Sequence, residues 1–121
     1  MKILITIPCL LTGGTEIQTL NLVRALVQGG HQVIVTCYFE YTPAMVQSYQ
    51  DNGSKVICLS PNGMRIGGWK GILFLFKGLK KVIRNERPDI AHVQYMAPGA
   101  IPIFLLRLLG MKNIIATTHT A

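Results

Sequence analysis

Residue types able to do chemistry gather at three places in this chain of 121 residues. Thr12-Gly13-Gly14-Thr15-Glu16-Ile17-Gln18 joins an apolar run to a helical one. Gly13 and Gly14 let a ligand come close to the backbone, and the unpaired N–H groups of a helix N-terminus favour an anion such as a phosphate. Thr15 with Gln18 three residues on fits a capping box, which starts the helix at Thr15. Two glycines also make a plain tight turn. The chain carries neither Gly-x-Gly-x-x-Gly nor Gly-x-x-x-x-Gly-Lys-Ser/Thr, which argues against a dinucleotide dehydrogenase and a P-loop enzyme.

The second place is His119, which ends the run Ile114-Ile115-Ala116-Thr117-Thr118. A histidine at a strand's carboxyl end can hydrogen-bond a sugar hydroxyl or a phosphate, or move a proton; a structural histidine is the alternative. Gln94, Tyr95, Pro98 and Gly99 leave an earlier apolar run and are candidates for an acceptor side of the same cleft, with loop packing as the alternative. His31, behind Gly29-Gly30, reads as a turn residue on the opposite edge, and His92, inside a strand, as a packed core residue.

The third place is a basic stretch. Lys55, Arg65, Lys70, Lys77, Lys80, Lys81, Arg84 and Arg87 enclose a single acid, Glu86, in a chain of net charge +7. Over residues 69–86, Ile72, Phe76, Leu79 and Ile83 form an apolar stripe, and Lys70, Lys77, Lys81 and Arg84 a basic one. Phe74 falls within about 20° of Lys81 by the helical period, placing an aromatic among the cations. With Trp69, Ile66 and Met64 at and before the helix start, this composition suits an anionic bilayer surface. A solvated basic face is the default reading. Nucleic acid ranks last, for want of an RNA-binding aromatic signature or helix-turn-helix spacing.

These residues need elements to hold them. Lys2 to Pro8 reads as a strand, Thr15 to Gln28 as a helix, His31 to Tyr38 as a strand, Pro43 to Gln50 as a helix and Lys55 to Ser60 as a strand. Trp69 to Glu86 then reads as a helix, Asp89 to Gln94 as a strand, Ala97 to Leu109 as a helix and Asn113 to Thr118 as a strand. Gly29-Gly30, Asn52-Gly53 and Gly110 sit at helix ends, and Pro43 at a helix start behind Thr42. Strands one, two and five are almost continuously apolar, as in a sheet covered on both faces. The expected fold is α/β: a doubly wound parallel sheet in three layers, with five strands in the order 3-2-1-4-5 and one domain over residues 1–121. In such a sheet Gly13, Gly14 and His119 come to one edge.

Half the residues are hydrophobic, enough for one core without staples. Cys9, Cys37 and Cys58 lack metal-like spacing and read as reduced thiols, pointing to a cytoplasmic compartment. Lys2 with the apolar stretch to Leu11 resembles a short secretory signal, but no small-residue cleavage site follows. No apolar run reaches the ~18 residues that span a bilayer, so a soluble protein, or one peripheral at the cytoplasmic face of a membrane, is expected.

Lys2-Ile-Leu-Ile with Gly13-Gly14-Thr15-Glu16, then Leu22-Val-Arg-Ala-Leu, Gly30-His31-Gln32-Val33-Ile34-Val35, Arg87-Pro88-Asp89-Ile90-Ala91-His92-Val93 and Ala116-Thr117-Thr118-His119, in that order, resemble the amino-terminal half of a GT-B glycosyltransferase of the retaining family 4 group. The resemblance implies two Rossmann-like domains with a nucleotide-sugar donor between them. It implies donor diphosphate contact at Gly13 and Gly14, with Thr15 and Glu16 supporting the helix start, and donor-sugar contact at His119 near the reacting centre. It also makes Gln94, Tyr95 and Gly99 candidates to line a glycan or lipid-linked acceptor, and leaves Lys70, Phe74, Lys77, Lys81 and Arg84 as acceptor or membrane candidates. No metal or separate cofactor is implied, since the nucleotide-sugar is itself a substrate. The carboxy-terminal donor-binding domain is absent from this sequence, so the fragment alone is expected to be inactive. The competing readings are a stand-alone Rossmann-like module that binds an anion or a partner, a nucleotide-sugar epimerase and a flavodoxin-like protein.

Overall fold

The computed structural model describes residues 1–7, 10–11, 14–60, 68–96, 101–111 and 113–119. Among these residues nine elements follow in strict alternation: β1 (Lys2–Ile7), α1 (Gly14–Gln28), β2 (Gln32–Cys37), α2 (Pro43–Asp51), β3 (Lys55–Cys58), α3 (Gly68–Glu86), β4 (Ile90–Met96), α4 (Ile101–Leu108) and β5 (Ile114–His119). The strands form one sheet in the order β3-β2-β1-β4-β5, and every pairing is parallel. The expected Rossmann-like order is therefore the order found.

The strands are apolar throughout because both sides of the sheet are covered. Leu4, Ile34, Ala91 and Val93 face a core with Leu75, Leu79 and Val82 of α3 and Leu105 and Leu106 of α4. Their sequence neighbours Ile3, Ile5, Ile7, Val33, Val35 and Cys37 face the other way, onto Val23 of α1 and Met45 and Tyr49 of α2. The period-two alternation of β1 and β2 thus feeds two separate cores. Each fully buried leucine, such as Leu4, Leu79 or Leu106, contributes about 2 kcal/mol of transfer free energy.

Three helices stop as their glycines foretold. At α1, Gly30 takes φ +87°, its N–H donates to the Val27 carbonyl at 3.0 Å and the His31 N–H to the Leu26 carbonyl at 3.1 Å, the paired bonds of a Schellman motif. Gly53 and Gly110 close α2 and α4 in the same way. α3 stops without glycine: Arg87 takes φ +48° immediately before Pro88.

Some boundaries differ from expectation. α1 begins at Gly14, so Thr15 lies inside the first turn and cannot be its cap. β3 stops at Cys58 because β2, its one partner, stops at Cys37. β4 runs on to Met96 because β5 pairs with it beyond the end of β1. α4 is described over Ile101–Leu108, and Ala97, its expected start, lies outside the described residues. Among the described residues no helix is long and apolar enough to cross a membrane.

Candidate functional site

Parallel strands bring all their carboxyl ends to one edge, here the upper edge. The strand order reverses between β1 and β4, where the crossovers depart to opposite faces, and sheets of this kind bind their ligands beside the carboxyl ends at that point. The segment leaving β1 is tied down first. Leu10, fully buried, donates its N–H to the Glu40 carbonyl at 2.8 Å and accepts the Thr42 N–H at 3.0 Å, a parallel bridge to the chain leaving β2. Thr42 in turn caps α2, its hydroxyl accepting the Met45 N–H at 3.3 Å. The approach to α1 is thus fastened to the start of α2.

α1 opens at Gly14, where a Cβ would meet nothing within 4 Å. The first N–H groups of a helix have no partner inside it, which is what lets a helix N-terminus hold an anion. Glu16, in the first turn, is only 6% exposed, and its backbone carbonyl accepts the hydroxyl of Tyr49, which is wholly buried in α2. Burial, reinforced by the nearby Glu16 charge, pushes the Tyr49 phenol well above its ordinary range. It therefore remains a proton donor throughout the physiological range. Tyr49 is a positioning residue for α1 that reading the sequence missed, because nothing local links it to Glu16, 33 positions away.

β4 and β5 end on the same edge. Gln94, Tyr95 and Met96 pair with Thr117, Thr118 and His119, beyond the last β1–β4 partners, Thr6 and Val93. His119 therefore ends β5 on the same edge as Gly14, as its position in the sequence predicts. Gly13 and Gly99 lie outside the described residues, as do Cys9, Met64, Ile66 and Pro98. Just below the edge, the hydroxyls of Thr6, Thr36 and Tyr38 are buried. His92 is half-buried in mid-strand between Ile5 and Ile115, and His31 sits in the turn after α1, on the lower edge.

Helix α3 separates the basic-face residues. Lys70, Lys77, Lys81 and Arg84 are exposed. Phe74, expected among them, is half-buried and stacks on Phe39 with ring centroids 6.3 Å apart. Its place in the bilayer reading passes to Trp69 and Leu73, both exposed. Cys37 and Cys58 are reduced register partners in β2 and β3. Among the described residues no group of three or more His, Cys, Asp or Glu side chains is placed to hold a metal ion.

Known proteins resemble this arrangement. The model of Glycosyltransferase Family 4 matches residues 12–121, from the glycine loop onward. A glycosyltransferase from Rickettsia africae ESF-5 superposes with a TM-score of 0.72 at 22% identity, over 95% of this chain and 28% of that one. The glycotransferase of kitacinnamycin superposes with a TM-score of 0.63 at 14% identity, over 97% of this chain and 30% of that one. The chain thus spans under a third of either protein. No curated protein matches it. A family match over nearly all the residues and a shared sheet lead to one assignment: this chain belongs to Glycosyltransferase Family 4 and is an amino-terminal GT-B domain of that family.

Proposed function

We propose that this domain is the acceptor-side half of a two-domain enzyme that transfers a sugar from a nucleotide-sugar donor to a glycan or lipid-linked acceptor with retention. The observation carrying the reading is the α1 start at Gly14, whose Cβ position is open, on the edge where β4 and β5 end in register at Met96 and His119. The donor diphosphate rests against the Gly13-Gly14 backbone, with Thr15 and Glu16 holding the first turn. His119 contacts the donor sugar, and Gln94, Tyr95 and Gly99 line the acceptor side. The bond from the sugar's anomeric carbon to the diphosphate oxygen breaks as a bond to an acceptor hydroxyl oxygen forms, and the hydroxyl proton leaves with the nucleoside diphosphate. N–H groups and basic residues meet the negative charge developing on the leaving group, without an obligatory metal. The nucleoside and most of the sugar are held by a second domain, so the 121 residues alone are inactive.

The test measures nucleoside diphosphate release from uridine, guanosine and adenosine diphosphate hexoses, by the 121-residue chain and by the same chain joined to a donor-binding domain. Release is expected only from the joined form, and His119→Ala lowers it by about 100-fold, a typical cost of losing one transition-state contact. Sugar transfer by the isolated chain overturns the half-enzyme reading. Pyrophosphate binding without turnover in either form makes the domain a binding module.

A further inference from the structure

The structure resolves what the outer face of α3 carries. Taken at 100° per residue, Trp69, Lys80, Leu73, Arg84, Lys77, Lys70 and Lys81 fall in that order within an arc of about 120°. Every one of them is exposed, Trp69 by 82% and Leu73 by 56%. No acid shares the arc. Glu86, the one acid of the helix, lies on another side and pairs with Lys55 and Lys2. None of the five cations on the arc is ion-paired among the described residues. The face is about 22 Å long from Trp69 to Arg84, and its opposite side is fixed to the sheet through Leu75, Leu79 and Val82.

We propose that this face of α3 docks the protein flat on an anionic lipid bilayer, Trp69 and Leu73 entering the headgroup layer while Lys70, Lys77, Lys80, Lys81 and Arg84 contact lipid phosphates. Charge and apolarity select this occupant together. Five unpaired cations exclude a second copy of the same face by repulsion. A nucleic acid backbone would match the cations but would leave the exposed indole and Leu73, one turn apart, without a role. A bilayer interface takes both, the aromatic at headgroup level and the lysine stems lying along the apolar surface with their charges at the phosphates. The inference stands on α3 alone, so it does not depend on the sugar-transfer reading.

Trp69 is the only tryptophan of the chain, so the protein carries its own probe. Its fluorescence is followed as the 121-residue chain is titrated with vesicles of phosphatidylcholine alone or with about one-third phosphatidylserine, in low and high salt. The expected result is a blue shift with anionic vesicles only, reversed by salt. Neutralising Lys77→Gln, Lys81→Gln and Arg84→Gln together weakens binding by about 100-fold, at about fivefold for each cation. Leu73→Asp abolishes the shift. All four positions are exposed, and far-ultraviolet circular dichroism with a thermal melt confirms that each variant is folded. No blue shift with anionic vesicles overturns the proposal, as does binding undiminished in the triple variant. A single-stranded oligonucleotide that displaces the vesicles through the same cations, without shifting Trp69, assigns the face to nucleic acid.

Discussion

At the lower edge of the sheet charged groups clasp one another, whereas at the upper edge the described residues bring together a helix start and the ends of β4 and β5. Below, the Lys2 N–H donates to the Asp89 carboxylate at 2.8 Å, the Lys2 ammonium to the Glu86 carbonyl at 2.7 Å and the Lys55 ammonium to the Glu86 carboxylate at 2.7 Å. The Asp89 N–H returns a bond to the Lys2 carbonyl at 2.8 Å. Four charged residues thereby stitch β1, β3, α3 and the entry to β4. Above, α1 starts at Gly14, where a Cβ would meet nothing within 4 Å. Polar groups satisfied by one another stabilise a fold, whereas the first N–H groups of a helix have no partner inside it and can take a ligand.

The contrast is sharpest at Gly14. Gly14→Asp adds an acid to a helix N-terminus, which favours the isolated fold by about 0.5 kcal/mol. It also sets a negative charge where a diphosphate is to lie. Transfer by the two-domain enzyme is expected to fall by about 100-fold while the melting temperature holds or rises. A parallel loss of stability would mean that the upper edge is structural after all. At the lower edge the large effect is on folding. Gly53 has φ +97°, and a Cβ there would lie 2.8 Å from Val27 Cγ1. Gly53→Ala therefore costs about 2 kcal/mol, read by urea denaturation, with transfer per folded molecule unchanged.

Tyr49→Phe tests a part that serves both. The buried hydroxyl is lost but the ring remains, so stability falls by about 1 kcal/mol, and donor affinity falls with it because the first turn of α1 loses its anchor. Unchanged affinity would limit Tyr49 to packing. The smallest effect belongs to Glu86. The hydrogen bond from Lys55 is the main cause holding its carboxyl below the usual carboxylate range, with the Lys55 and Lys2 charges adding to it. A depressed folded value means that the stabilisation is complete above the ordinary carboxylate pKa and is lost as pH falls through the folded one. Because Lys55 is well exposed, solvent screens the pair. Glu86→Gln is expected to lower the melting temperature slightly at neutral pH and to leave the acid limb of the melting profile shallower than in the parent.

The elements and their order were legible in the sequence because each rests on local signals: period-two runs buried on both faces, an amphipathic period in α3, and glycine at three helix ends. Boundaries set by a partner strand were not. β3 stops where β2 stops and β4 continues where β5 continues, and neither limit is written in the strand's own residues. The same divide runs through the site. The placement of Gly14 and His119 on one edge follows from topology alone. Tyr49 beneath α1 and the Lys2–Glu86–Lys55 cluster depend on contacts between residues distant in the chain. Phe74 shows why a helical angle is insufficient: it lies beside Lys81 by periodicity, yet Phe39, at the exit of β2, draws it into the core.

The place of β1 in the middle of the sheet also sets the order in which this protein assembles during synthesis. β1 meets β2 after one short crossover, but its other neighbour begins at Ile90, and the clasp between Lys2 and Asp89 spans 87 positions. Until α3, β4 and α4 have been made, the central strand has a bare hydrogen-bonding edge and one uncovered apolar face. A ribosome paused between β3 and α3 therefore displays a half-sheet prone to pair with its neighbours on a polysome, and the interval before β4 arrives is when this chain most needs a chaperone.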